Sequence, residues 1–473
     1  MATSCIQLRS GRVSVALPMD TTRRSFLKGT LATAGVIAVG CDNRTAGQPD
    51  AAQRDAETAD APRALGPRGD LAMLPLAAAS AMGVSAADAT SSSVLLWTHW
   101  TNVASLGVSV FRANETATPV VEVEALVPID GVCVYAASGL APDTVYQYCF
   151  WRFGDGGFER SELGRFRTAP AADARGVVRL GAISCMAADK SFAVVQRAAR
   201  EPNLHAMLYL GDIAYCDGVE SLADYRGKYR ETFALAGHVQ LRRNAAMVAT
   251  WDDHEVGNNW NPESIGAARY AAAKQAFAEH VPIVRAAPEQ IWRKFSYGQT
   301  VEVFVLDCRG ERKPSQNIYL SQAQMAWLKA GLSASTAQWK LIVNSVPITR
   351  MPDLYPSDAD RWEGYTAQRN EILNHIDAAP IPGVIWLSGD FHFAFVANVS
   401  PSGPGANQIE VLAGPGAQLP NPAWVGVRGS QFRYVTGKNN YAVLEFSPER
   451  RTVEVQYYDD GDAPFHRELL TFA

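Results

Sequence analysis

Residues 249–260 read ATWDDHEVGNNW, and the apolar run 245–251 leading into them ends abruptly on Asp252, Asp253, His254 and Glu255. Adjacent carboxylates repel and hydrate strongly, so burying them at a strand end is costly unless a cation shares the site. The same ending recurs along the chain. VVRLGAIS (177–184) leads to Cys185, AMLYLG (206–211) to Asp212 and then Tyr215, and VEVFVL (301–306) to Asp307, Arg309 and Arg312. KLIVNS (340–345) carries Asn344, and GVIWLSG (383–389) leads to Asp390 and His392.

Fully apolar runs of this length predict strands buried on both faces. They alternate with helical patterns such as KSFAVVQRAAR (190–200), ARYAAAKQAFAEH (268–280) and SQAQMAWLKAGLSA (321–334), which argues for a layered α/β domain. Ligands of such sheets bind beyond the carboxyl ends of the strands, so the six endings are expected to converge on one crevice. Multivalent cations there offset the repulsion and lower the pKa values of their ligands. A thiolate and a phenolate, Cys185 and Tyr215, suit a transition ion such as ferric iron, whereas an aspartate-rich half suits calcium or manganese.

The chain of 473 residues is long enough for one large core and a smaller unit. Its formal charge of −5 offers no basic face for nucleic acid. Between 84 and 168 short alternating stretches such as SVLLWTHW and VVEVEAL, divided by Gly, Pro and Asp turns, predict a small β-sandwich. Within it SGLAPDTVYQYCF (138–150) resembles the Leu-x-Pro-x-Thr-x-Tyr corner of fibronectin type III-like domains. Cys133 and Cys149 fall on neighbouring predicted strands and are a candidate pair. His205, His238, His280, His375 and His466 lie in helical or loop contexts that favour structural roles.

Upstream, TRRSFLK (22–28) precedes an uncharged run from Gly29 to Cys41. A twin-arginine pair before a short, weakly apolar region resembles a Tat export signal, and VGC at its end resembles a lipoprotein cleavage site. The expected organisation is a Tat-type signal over 1–41, a flexible linker over 42–83, a β-sandwich over 84–170 and an α/β domain over 175–473. Met19 would place the arginine pair at the usual distance from a start. The expected location is the periplasm, the exterior or, with Cys41 acylated, a lipid anchor in the envelope; the Tat translocase is the expected partner in export.

The segments ISC, GDIAYCD, WDDHEVGNNW, EHVP, IWRKFSYG, LDCRGER, WKLIVNSVP, DRWEGY and LSGDFH follow one another between about Gly181 and Val396. In order and spacing they resemble the PhoD-like alkaline phosphatase family, a branch of the calcineurin-like metallophosphoesterases, and the module at 84–168 resembles that family's N-terminal domain. Met186 stands where a glutamine is usual. The resemblance implies a four-layer α-β-β-α sandwich preceded by a small fibronectin type III-like β-sandwich. Carried onto this sequence, Cys185, Asp212, Tyr215 and His392 would hold Fe3+. Asp212 would bridge to Ca2+, or to Mn2+ or another divalent ion, beside Asp252, Asp253 and Asp390. Asp253-His254-Glu255 occupies the superfamily's Asn-His-Glu or Asn-His-Asp triplet and makes His254 the expected general acid. The implied activity is hydrolysis of phosphomonoesters or phosphodiesters by metal-activated water, with Arg309, Arg312 and Asn344 on the ester and Trp362–Tyr365 either shaping the mouth or packing in the core. A phospholipase D-like diesterase and a non-catalytic envelope binding lipoprotein are the competing readings.

Overall fold

The computed structural model describes residues 70–77, 82–154, 156–351 and 358–472. The twin-arginine segment, Cys41 and most of the expected linker lie outside the described residues. The linker's last part is packed, because Leu71 and Leu74 find an apolar surface. Leu71 is buried with Phe111, Cys149 and Trp151, and Ala77 and Pro75 exchange backbone hydrogen bonds with Arg160.

Two sheets form the body of the protein. A nine-stranded sheet has at its centre the parallel strands Val178–Ile183, Ala206–Tyr209 and Met247–Ala249. A seven-stranded sheet has Val301–Val305, Trp339–Val343, Val384–Ser388 and Ile409–Leu412 in parallel. Alternate residues of each strand face opposite ways, and both faces are covered. Leu180, Leu208 and Val248 pack against Val303, Leu341, Ile385 and Val411 between the sheets. Ile183, Met207 and Met247 face outward onto Phe233, Leu241 and Phe277 of the helices Leu222–Phe233, Ala236–Asn244 and Ala267–His280. On the far side Phe304, Ile342 and Trp386 meet Leu328 of the helix Gln322–Ala334 and Ile372 of the helix Thr366–Ala378. The layers therefore run α-β-β-α, and burial on both faces is why the strands read as unbroken apolar runs.

The N-terminal strands divide between two sheets. Leu106–Arg112, Val121–Leu126, Val145–Gly154, Gly157–Arg160 and Gly164–Arg167 form a separate five-stranded sheet. Val84–Ala87, Ser93–His99 and Val132–Ser138 instead continue the nine-stranded sheet, where Ala87 pairs in parallel with Met247. The two halves close on a core of Val84, Leu96, Val108, Tyr148 and Phe166, so the sandwich shares one sheet with the body. The Tyr146 hydroxyl accepts the Ala141 amide at 2.8 Å, tying down the corner that the sequence pattern predicts. A buried bidentate pair, Arg293 to Asp88 at 2.8 and 2.7 Å, joins the end of the first sandwich strand to the seven-stranded sheet.

Cys133 and Cys149 are free. Cys133 pairs across the nine-stranded sheet with Thr98 and faces the sandwich core, whereas Cys149 pairs with Ser109 in the other sheet and faces away, toward Leu71 and Trp151. Their side chains point in different directions, which rules out the bridge. Alkylation of the denatured, unreduced protein is expected to label both thiols; a disulfide-linked 133–149 peptide would contradict this arrangement.

Candidate metal centre

The six apolar runs end at one edge of the two-sheet body, and their turns are unusual. Cys185, Asp212, Asp390 and His392 have φ of 56°, 55°, 71° and 55°. Non-glycine residues in the left-handed region cost roughly 1–3 kcal/mol each and persist only where surrounding bonds fix them. Those bonds are present: Met186 N–H donates to the Asp212 carbonyl, Ala417 N–H to that of Cys185 and Asn421 N–H to that of His392, at 2.9, 3.0 and 3.0 Å. Gly211, with φ of 104°, is obligatory, since a Cβ there would lie 2.4 Å from Asp252 Cβ. Glu255 fastens two turns together, its fully buried carboxylate accepting from Ile213 N–H at 2.6 Å and Asp252 N–H at 2.9 Å.

The side chains that these turns carry form three overlapping groups: Cys185, Asp212 and His392; Asp212, Asp253 and His254; and Asp252, Asp253 and Asp390. Within each, one ligand atom per residue lies within 4.8 Å of the others. Tyr215 joins the first group, its hydroxyl 3.4 Å from Asp212 Oδ2 and 3.3 Å from His392 Nε2, while Cys185 Sγ is 3.4 Å from the same Asp212 oxygen. Asp212 and Asp253 are thus each shared by two groups. Asp212, Asp252 and Asp253 are buried, whereas Tyr215, His254, Asp390 and His392 are half-buried and mark the open face.

The donor set fits cations. Asp253 Oδ1 is buried without a hydrogen-bond partner, an arrangement that costs about 1–3 kcal/mol unless something positive faces it. Burial, only partly offset by His254, together with Asp253 and Asp252 raises the Asp212 carboxyl well above the usual carboxylate range. Burial and Asp212 likewise push the Cys185 thiol and the Tyr215 phenol far up. A bound cation reverses those penalties, favouring ionised oxygen and sulfur. The soft corner of Cys185, Tyr215 and His392 has the chemistry of a transition-metal site, and the aspartate corner that of a hard divalent ion.

The structure gives the two arginines protein partners. Arg309 is fully buried, donates from Nε and Nη2 to both oxygens of Asp252 at 3.0 Å, and pairs with Asp360 through Nη1. Arg312 donates to Asp360 at 2.9 Å and to the Cys308 carbonyl. Both serve as fixed counter-charges within the acidic wall. Asn344 is buried as well, its Oδ1 accepting from Trp362 Nε1 and Cys308 Sγ, so Trp362 belongs to the core. Ser345, at the same strand end as Asn344, joins the site, and three contributors come from outside the strand-end pattern: Asp217, Asn259 and Asp360. Asp217 Oδ2 lies 2.6 Å from His254 Nδ1, Asn259 N–H donates to Asp253 Oδ2 at 2.7 Å, and the Ser345 hydroxyl donates to Asp252 Oδ1 at 2.7 Å. Asp360 sits in DRWEGY, after no strand at all.

Glu255→Gln would place an amide N–H₂ against a backbone N–H that now donates to a carboxylate. The expected loss is about 1–3 kcal/mol of stability, with poorer metal retention because both ligand turns loosen. Denaturant titration and metal analysis measure the two effects; unchanged values in both would show that Glu255 is not the clamp.

Residues 180–418 match the PhoD-like phosphatase family and residues 75–170 its N-terminal domain. Alkaline phosphatase D of Bacillus subtilis (strain 168) is 29% identical over 317 residues, which are 56% of this chain and 53% of that protein, so the chain spans about half the length of the curated relative it matches. Among solved structures, one described as the structure of PhoD superposes with a TM-score of 0.73 at 22% identity, covering 83% of this chain and 89% of the other. The purple acid phosphatase PPD1 from yellow lupin (Lupinus luteus) seeds superposes with a TM-score of 0.63 at 12% identity, covering 82% and 74%. Those two likenesses concern the fold, which is that of the metallophosphoesterases. With its family segments matched over more than half its length and its polar strand ends gathered at one edge, the chain belongs to the PhoD-like phosphatase family.

Proposed function

We propose that this protein is an exported, metal-dependent phosphoesterase that hydrolyses phosphomonoesters or phosphodiesters, with His254 as general acid. The observation that carries the reading is the set of three acidic groups sharing Asp212 and Asp253 at the open edge of the two sheets. Cys185, Asp212, Tyr215 and His392 would hold iron, and Asp253 and Asp390, with Asp252 behind them, a calcium or manganese ion. Bound there, the cations supply Lewis acidity for the phosphoryl oxygens and for the attacking water.

His254 is built to deliver a proton. Its Nδ1 is held by Asp217, which is itself anchored by Asn258 N–H at 2.7 Å. The Tyr215 ring stacks on the imidazole with centroids 4.1 Å apart and fixes its plane. Nε2 is left as the nitrogen available to the cleft. Burial alone would lower the imidazole pKa, but Asp212, the Asp217 hydrogen bond and Asp253 drive it up to about 11. Cations bound at Asp212 and Asp253 would cancel part of that rise, leaving the Asp217 hydrogen bond to favour the imidazolium that protonates a departing alkoxide, a contribution of about 10²–10⁴-fold. Buried Arg309 and Arg312 hold Asp252 and Asp360 in place.

Chelation is expected to abolish turnover of a chromogenic phosphodiester, and refilling with iron and calcium to restore it. Hydrolysis indifferent to metal removal would refute the reading. His254→Asn is expected to lose about 10²–10⁴-fold in kcat while keeping its metals, with Asp217→Asn falling between it and the wild type. A binding protein would show no turnover to lose.

Export by the twin-arginine route is supported by Arg23 and Arg24 ahead of the uncharged run that ends at Cys41. With both arginines changed to lysine, the protein is expected to stay in the cytoplasmic fraction. Normal export of that variant would remove the Tat assignment.

A further inference from the structure

Away from the metal centre, a second buried charge finds no counter-ion among the described residues. Arg242, on the helix Ala236–Asn244, is fully buried, and among the described residues no carboxylate pairs with it. Its Nη2 donates to the Met82 carbonyl, and its guanidinium lies 4.1 Å from the Phe233 ring and 5.0 Å from that of Trp97. Nε and Nη1 have no partner. Around the same two rings other orphaned groups collect. Tyr229 and His280 stack on each other at 4.9 Å, and both pack on Phe233. Tyr148, on the sandwich strand Val145–Gly154, and Tyr209, on the core strand Ala206–Tyr209, are the phenols electrostatically coupled to Arg242. The hydroxyls of Tyr148, Tyr209 and Tyr229 and the Nε2 of His280 are all buried without a hydrogen-bond partner.

The guanidinium and the three phenols share one chemistry, for each can donate and none carries negative charge, whereas neutral His280 donates from Nδ1 to the Ala276 carbonyl at 2.8 Å and keeps Nε2 as an acceptor. Burial lowers His280 to about 4 and, aided by Arg242, His238 to about 3, so both imidazoles are neutral; burial also holds the Tyr148 and Tyr209 phenols protonated. Burial lowers Arg242 only to about 10, so it stays cationic at neutral pH. Water would satisfy the donors but leave the charge unbalanced, and an uncompensated buried charge is costly. A small anion answers both demands. We propose that Arg242, with the hydroxyls of Tyr148 and Tyr209, binds a monovalent anion of the halide class at the seam between the N-terminal sandwich and the body. The anion ties the helix Ala236–Asn244 to both the five-stranded and the nine-stranded sheet.

The test uses the full-length, metal-loaded protein. At constant ionic strength, replacing gluconate with chloride or bromide is expected to raise the unfolding midpoint saturably, by about 2 °C or more. In bromide-soaked crystals an anomalous peak is expected between Arg242 and Tyr209, apart from the metal centre. Arg242→Met should abolish the halide-dependent shift. Tyr209→Phe, a milder change should the first fail to fold, should move the half-saturating bromide concentration upward several-fold. A midpoint indifferent to halide, bromide density confined to the metal centre, or a halide response unaltered in Tyr209→Phe would each overturn the proposal and leave waters as the occupants.

Discussion

The constraint on which everything else depends is the repulsion among carboxylates forced together at the edge of two sheets. Asp212, Asp252, Asp253 and Asp390 would separate in water. Here they are held by backbone turns whose geometry is fixed from behind by Gly211, by the Glu255 clamp and by the apolar strands beneath. Arg309 offsets part of the charge from inside the wall, leaving the open side for cations. At an effective dielectric constant near 20, two unit charges 4 Å apart interact by roughly 4 kcal/mol. Several such pairs amount to a substantial fraction of the marginal stability of a folded domain. The site therefore stores unfavourable electrostatics that bound metal relieves.

The same arrangement divides labour between its two corners. Sulfur, phenol and imidazole gather around one side of Asp212, and the carboxylates of Asp252, Asp253 and Asp390 form a group of their own, so one crevice presents two different affinities. His254 stands at the junction, backed by Asp217 and stacked on Tyr215, a residue of the soft corner. The His254 ring is therefore positioned by residues of the candidate metal site itself. The rigidity of the sheets makes this possible, since both faces of each are covered and the turns cannot drift.

Much of this was legible because buried parallel strands leave a strong mark. Runs such as VEVFVL and GVIWLSG, each followed by a polar chemical group, identified the strands, the edge and the first circle of residues. What stayed hidden was what reaches the edge from elsewhere. Asp360 follows no strand, and Asp217 lies in a turn crowded with other polar residues. Arg309 illustrates a different case: an arginine after a strand reads as a phosphate ligand, whereas here its buried guanidinium is paired with Asp252 and Asp360. The helices Leu222–Phe233, Ala236–Asn244 and Thr366–Ala378 carry too many polar residues for a clear apolar stripe. The shared sheet of the sandwich was invisible because Val84–Ala87 pairs with Met247, more than 150 residues away, and no local pattern encodes such a partner.

X-ray absorption at the iron edge, on protein purified from its native host, is the most direct test of the central claim. Sulfur together with oxygen and nitrogen neighbours around iron, with the sulfur lost in Cys185→Ser, is the expected result. Iron absent, or an iron shell unchanged by that substitution, would contradict it.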